Sequence, residues 1–219
     1  MPKVKIARKS TDTDMTPFVD IAFLILSFFI MATKFKPPEP VSITTPNSVA
    51  AKELPENEAV LITIDSADRV FFSVLSEKNT KIKDDIISAL STSRNLGLGP
   101  AEMQTFRKTI AVGVPFQNLK SFLNIPPEQH GGVTQPGIPV TDTLNNELIW
   151  WIAASKEAFR ANSTKLSYLI KGDGKSKYPS FEAIITALKK NDEYKYNLVT
   201  SLENAPAGSD LDKKNKGIK

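Results

Sequence analysis

Apolar and polar positions divide this chain into unequal stretches. From Met15 to Phe35 the run MTPFVDIAFLILSFFIMATKF is almost wholly apolar. As a helix rising 1.5 Å per residue it would extend about 31 Å, the thickness of a hydrocarbon core, which predicts one N-terminal transmembrane helix over 15–35. The preceding segment, 1–14, carries Lys3, Lys5, Arg8 and Lys9 with no acid in its first ten residues. That bias predicts a cytoplasmic N-terminus, with everything from Lys36 onward on the far side. A cleaved signal peptide fits less well, because Ile30 stands two positions before Ala32 and Lys34 and Lys36 follow at once.

Residues 36–58 hold five prolines and little periodicity, so they read as an extended linker. Within it Val41, Ile43 and Thr45 alternate with polar neighbours in a β-prone stretch that could add to a sheet edge, and a passive spacer fits these residues equally well. From 59 two β-rich runs predict strands over Val60–Asp65 and Val70–Leu75, joined by a turn at Ser66–Arg69. Ile82, Ile86, Ile87 and Leu90 then recur at helical spacing, with Asp84 and Asp85 expected in the first turn. Toward the C-terminus come a strand over Leu166–Lys171, a helix capped by Ser180 that carries Phe181, Ile184, Ile185 and Leu188, and a last strand over Tyr196–Leu202. The order ββα…βαβ predicts an α+β domain over 59–204, with helices on one face of a mixed sheet.

Between its halves lies a block, about 97–160, that reads as an insertion. Pro100–Ala111 and Pro115–Ile125 are expected as short helices, each with proline suited to a first turn. A Pro/Gly-rich stretch over 125–140 is expected to be mobile, with His130 at the surface. Leu144, Leu148, Ile149, Trp151, Ile152 and Phe159 then mark an amphipathic helix capped by Asp142 or Thr143, with Trp151 inward and Trp150 at a rim or partner contact. The tail, 205–219, is polar without an apolar face and reads as disordered.

Composition narrows the chemistry. With 41% apolar and 24% charged residues the chain is globular in kind. The absence of cysteine and the single histidine leave little for metal or imidazole chemistry. A net charge of +4 is too mild to imply nucleic acid. No phosphate loop, GxGxxG, GxSxG or HExxH pattern occurs, so the chain reads as no enzyme, with no cofactor.

The chemistry that remains is Asp20, the one acid inside the apolar run. A carboxylate at membrane depth costs about 2.5–3.5 kcal/mol and seldom persists there without a partner or a task. Thr16, Asp20, Ser27 and Met31 fall on one stripe, flanked by Phe23 and Leu24, an edge suited to a protein-lined, partly wet interface in an oligomer. Pro17 suits a helix start capped by Thr16. An acid this close to the helix start could also lie ionised among headgroups, and the residues leave both readings open.

Thr16-Pro17-Phe18-Val19-Asp20 followed by the apolar run to Met31 resembles the TPFxD signature of the ExbD/TolR family. The linker ending at Pro46 and the phrases LSYLIKGDGKSKYPSFEAIITALKK and YKYNLVTSLE are similar to that family too, so the likeness spans about 12–95 and 164–204 and leaves the block at 97–160 as the departure. The resemblance implies that Asp20 is the proton-binding residue of an inner-membrane motor subunit, single-pass, with its C-terminal domain in the periplasm. It further implies a homodimer within a multi-span ExbB-like ring and a TonB-like transducer driving outer-membrane uptake, with peptidoglycan as another contact. The TolR branch would serve envelope maintenance instead, and Val41, Ile43 and Thr45 would be the partner or strand-addition residues. A membrane-anchored periplasmic binding module with an inert helix is the alternative, and an anchored enzyme of unrecognised chemistry a weaker one.

Overall fold

The computed structural model describes residues 15–32, 41–48, 58–76, 79–141 and 145–202. The segments expected as N-terminus and tail, much of the linker, and the caps Asp142 and Thr143 lie outside these residues. The chain divides into two compact units, residues 1–38 and 39–219.

In the first unit, α1 spans Thr16–Ala32, 17 residues, and none of its side chains is buried. Among the described residues no helix is long and apolar enough to cross a membrane. The carbonyl of Met15 accepts from the amides of Phe18 and Val19, so Thr16 is the first helical residue and not the expected cap. Pro17 sits in the first turn, where its missing N–H is no loss.

The second unit is α+β. β2 (Ala59–Ile64) and β3 (Val70–Leu75) form the expected antiparallel hairpin. Asp65 shapes its turn: Oδ1 accepts from the amides of Ala67 and Arg69 at 3.0 and 2.8 Å, and the Arg69 guanidinium returns to Oδ2 at 2.6 Å. β4 (Ser167–Gly172) lies parallel to β2, and β5 (Tyr196–Val199) parallel to β4, giving a four-stranded mixed sheet in the order β3-β2-β4-β5. Parallel neighbours require crossovers. Those crossovers carry α2 (Thr80–Arg94), α3 (Pro100–Lys108), α4 (Phe116–Leu123), α5 (Leu148–Ala161) and α6 (Tyr178–Lys189). The last expected strand breaks at Thr200: Ser201–Leu202, β6, pairs instead with β1 (Asn47–Ser48).

Alternate strand residues, Val60, Ile62, Ile64, Val70, Phe72, Tyr168 and Ile170, join the apolar faces of the helices in one core. At its centre Trp151 is fully buried, its ring centroid 4.7, 5.8 and 5.9 Å from those of Phe72, Phe106 and Phe116. One side chain thus ties β3, α3, α4 and α5 together. Trp150, its neighbour, lies at the rim as expected, 41% exposed beneath the Arg94 guanidinium at 4.7 Å.

The block at 97–160 is built into this core, and it corrects several expectations. α3 stops at Lys108, because Thr109–Val114 leaves the helix to run along β3: the amide and carbonyl of Val112 bond those of Phe72, both at 2.8 Å. The proline-rich stretch is packed, with Gln135, Ile138 and Val140 buried. Within it Pro127–Gly132 forms a 3-10 turn whose His130 is buried, stacked on Phe122 at 4.2 Å, with Nε2 2.8 Å from the carbonyl of Ile125. The packing of this stretch seats the His130 ring on Phe122, so the expected surface histidine is instead buried.

Asp84 and Asp85 fall beyond the first turn of α2 and do more than offset its dipole. Asp84 takes a bidentate pair from Arg107 at 2.9 and 2.6 Å, and Asp85 accepts from Asn162 at 2.7 Å. Beside them Lys83 donates to the carbonyls of Arg107 and Thr109, and burial lowers its pKa. α5 starts at Leu148, where Asn146 Oδ1 accepts the first amide. Ser180 lies buried inside α6, whose cap position is Lys177.

Trp151→Ala is expected to cost about 3–5 kcal/mol, the usual loss for an emptied aromatic site, read from urea denaturation of the intact chain. Trp150→Ala should cost far less.

Candidate functional site

Two places in the described residues carry the features singled out from the sequence. The first is α1. At about 100° per residue, Thr16, Asp20, Ser27 and Met31 fall within a 60° arc, and Phe23 and Leu24 widen it to about 100°. Ser27 Oγ donates back to the carbonyl of Leu24 at 2.9 Å, which satisfies the hydroxyl within its own helix. Among the described residues Asp20 has no ion-pair partner. Phe18, Val19, Phe23, Leu24, Phe28, Phe29 and Met31 are all exposed, Met31 by 88%. A bare apolar surface of this kind needs a lipid or protein cover.

The second place is where the linker meets the domain. Val41, Ile43 and Thr45 are half-buried while Ser42, Thr44 and Pro46 are exposed, the expected period of two. Regular pairing lies outside the expected stretch, two residues past its end at Thr45: Asn47 and Ser48 run parallel to Ser201 and Leu202. The contacts run in sequence along the linker. Thr44 donates its amide to Asp173 Oδ2 at 2.9 Å, and its carbonyl accepts from Gly174 at 2.9 Å. Thr45 and Ser201 join through their hydroxyls, and the Pro46 carbonyl accepts from the Ser201 amide at 3.0 Å. The linker thus bridges the carboxyl ends of β4 and β5, the end of an open parallel sheet where ligands usually sit.

Asp173 is a residue that sequence reasoning missed, since Gly172-Asp173-Gly174 has the composition of a plain turn. Its amide donates to Ile64, its Oδ1 accepts from Lys175 at 2.9 Å, and its Oδ2 is left for the linker. The amides of Lys175 and Thr44 hold its carboxyl below the ordinary carboxylate range. The available signal was an acid at the end of an apolar strand, where a carboxylate can serve both its own turn and an incoming backbone. Nearby Asp68 takes the amide of Lys177 at 2.6 Å, which fixes the loop that presents Asp173.

A bare apolar helix with one acid is thus followed along the chain by a linker strapped to an α+β domain. A family profile described as biopolymer transport protein ExbD/TolR matches residues 7–136. That is more than half of the chain, and the chain belongs to the ExbD/TolR family. The match takes in α1, the linker, the hairpin and α2 to α4, and it runs well into the block at 97–160; β4, α6 and β5 lie beyond it. No curated protein and no solved structure matches the chain significantly.

Because Asp173 has a depressed folded pKa, its hold on the linker is complete above the ordinary carboxylate pKa and is lost as pH falls through the lower folded value. Asp173→Ala should speed hydrogen exchange of the Thr44 amide at pH 7 by about tenfold or more. The same amide should lose protection in the unaltered protein only on strong acidification.

Proposed function

We propose that this chain is an ExbD-like subunit of an inner-membrane motor, in which Asp20 binds and releases the protons that drive TonB-dependent outer-membrane transport. The observation that carries this is a single acid on the semi-polar stripe of an otherwise apolar, uncovered helix, inside the region matched by the family profile. On this reading the apolar segment over 15–35 crosses the membrane once, N-terminus in the cytoplasm, and the domain over 59–204 works in the periplasm.

Elementary physics supplies the coupling. One charge crossing 100 mV of potential releases about 2.3 kcal/mol, enough for a few protons to drive a conformational step. Neutral Asp20 tolerates an apolar wall, whereas the ionised form needs water or a polar partner. Alternating access of protons from the two sides then biases the position of the helix against a surrounding ExbB-like ring. A second copy of the chain shares that ring, with the stripe of Thr16, Phe23, Leu24, Ser27 and Met31 facing the channel. A lone carboxylate with few other oxygen ligands favours H⁺ over Na⁺. The linker residues Val41, Ile43 and Thr45 form the segment that engages a TonB-like transducer or the sister subunit by strand addition, and peptidoglycan is a further contact of the domain. A TolR-like role in envelope maintenance uses the same parts with a different transducer.

Asp20→Asn keeps size and hydrogen bonding but cannot titrate. The expected result is loss of proton-driven uptake with insertion and assembly retained; uptake at the unaltered rate would make the helix an inert tether and the protein an anchored binding module. Ile43→Pro should impair uptake, measured in cells, while leaving membrane insertion intact, and normal uptake would remove the strand-addition role.

A further inference from the structure

The sheet has two outer edges, and the chain treats them differently. β3, Val70–Leu75, reads VFFSVL, with neither charge nor proline. A flat strand of this composition, left open, is a template for pairing with an identical strand. Three of its outward groups are nevertheless taken. Both backbone groups of Phe72 bond Val112 at 2.8 Å, and the Val70 carbonyl accepts from Ile138 at 2.8 Å. The covering segments are locked to one another: Gly113 donates to Gln135 Oε1 at 2.6 Å and accepts from the Gly137 amide at 2.7 Å. Gly113 lies so close that a Cβ there would stand 2.3 Å from the Phe71 ring, so only glycine fits this crossing. The Arg69 guanidinium adds a bond to the Gln135 carbonyl at 3.2 Å.

Among the described residues the opposite edge has no such cover. β5 is four residues long, YNLV, with Asn197 inside it and Glu193 and Lys195 just before it. Short, polar-flanked edges resist pairing with copies of themselves. Past its end the chain continues into β6, which pairs with the linker strand β1.

We infer that the block at 97–160 acts as an edge guard: Thr109–Val114 and Gly137–Ile138 occupy β3 so that a second copy of the chain cannot pair there. Strand addition is thereby confined to the β5–β6 side, and each protomer accepts one extended segment. The inference stands apart from the proton-driven reading, because its test reads association and not transport.

The test uses the full chain in detergent micelles. Gly113→Val forces the guard off the Phe71 ring, and Gln135→Ala, the milder variant, removes only the acceptor of the Gly113 amide. Hydrogen exchange at the Phe72 amide reports whether the edge is open, and sedimentation reports species larger than those of the unaltered protein. Exchange at Phe72 should rise by about tenfold or more, accompanied by self-association at least about tenfold stronger. A synthetic peptide of sequence Thr109–Pro115, added in trans, should reverse both effects. An opened Phe72 without added association, association insensitive to the peptide, or Phe72 protection unchanged in both variants would each overturn the guard.

Discussion

A β-sheet cannot end without leaving a row of backbone donors and acceptors unpaired, and this constraint organises the second unit. The β3 edge and the chain that continues β5 are each met by segments drawn from far away in sequence. At β3 the cover comes from Val112 and Ile138; beyond β5 it comes from the linker through Pro46, Asn47 and Ser48. The two covers differ in kind. The first rests on buried residues, a bidentate ion pair between Arg107 and Asp84, and the Trp151 cluster. The second rests on a few backbone bonds and one carboxylate, Asp173, at a half-exposed strap. Regions held by few buried contacts open at lower free energy than the core.

The first unit obeys the opposite logic. α1 satisfies its backbone internally, as any helix does, and leaves its side chains uncovered. Its apolar surface and single acid acquire meaning only from what surrounds them. Membership of the ExbD/TolR family ties that helix to biopolymer transport.

Local pattern was a sound guide wherever local physics decides. The hairpin was legible from the β-rich runs at Val60–Ile64 and Val70–Leu75, and the inward Trp151 from its spacing with Leu148, Ile152 and Phe159. What escaped depended on contacts across long sequence separations. Asp173 gains its role from Thr44, 129 residues away. The helix expected to reach Ala111 gives way because Val112 is needed by Phe72, and tertiary pairing outweighs helix propensity there. His130 sits in a Pro/Gly-rich stretch whose composition suggests mobility, yet Phe122 and the Ile125 carbonyl hold its ring. Asp20 and its stripe were legible as a pattern, since helical periodicity alone places those residues together.

The parallel register of β1 and β6 has a mechanical consequence. β6 is tethered through β5 at its N-terminal end, and the strap is pulled from its own N-terminal end whenever tension comes from the side of α1. Two parallel strands loaded at the same end peel apart bond by bond, instead of resisting as a shear joint in which all bonds bear load together. The first bonds to feel the strain are those of Thr44 with Asp173 and Gly174, ahead of Pro46 with Ser201. The strap is therefore built to yield in successive steps, the first of them shared between the carboxylate of one aspartate and the backbone of the glycine after it.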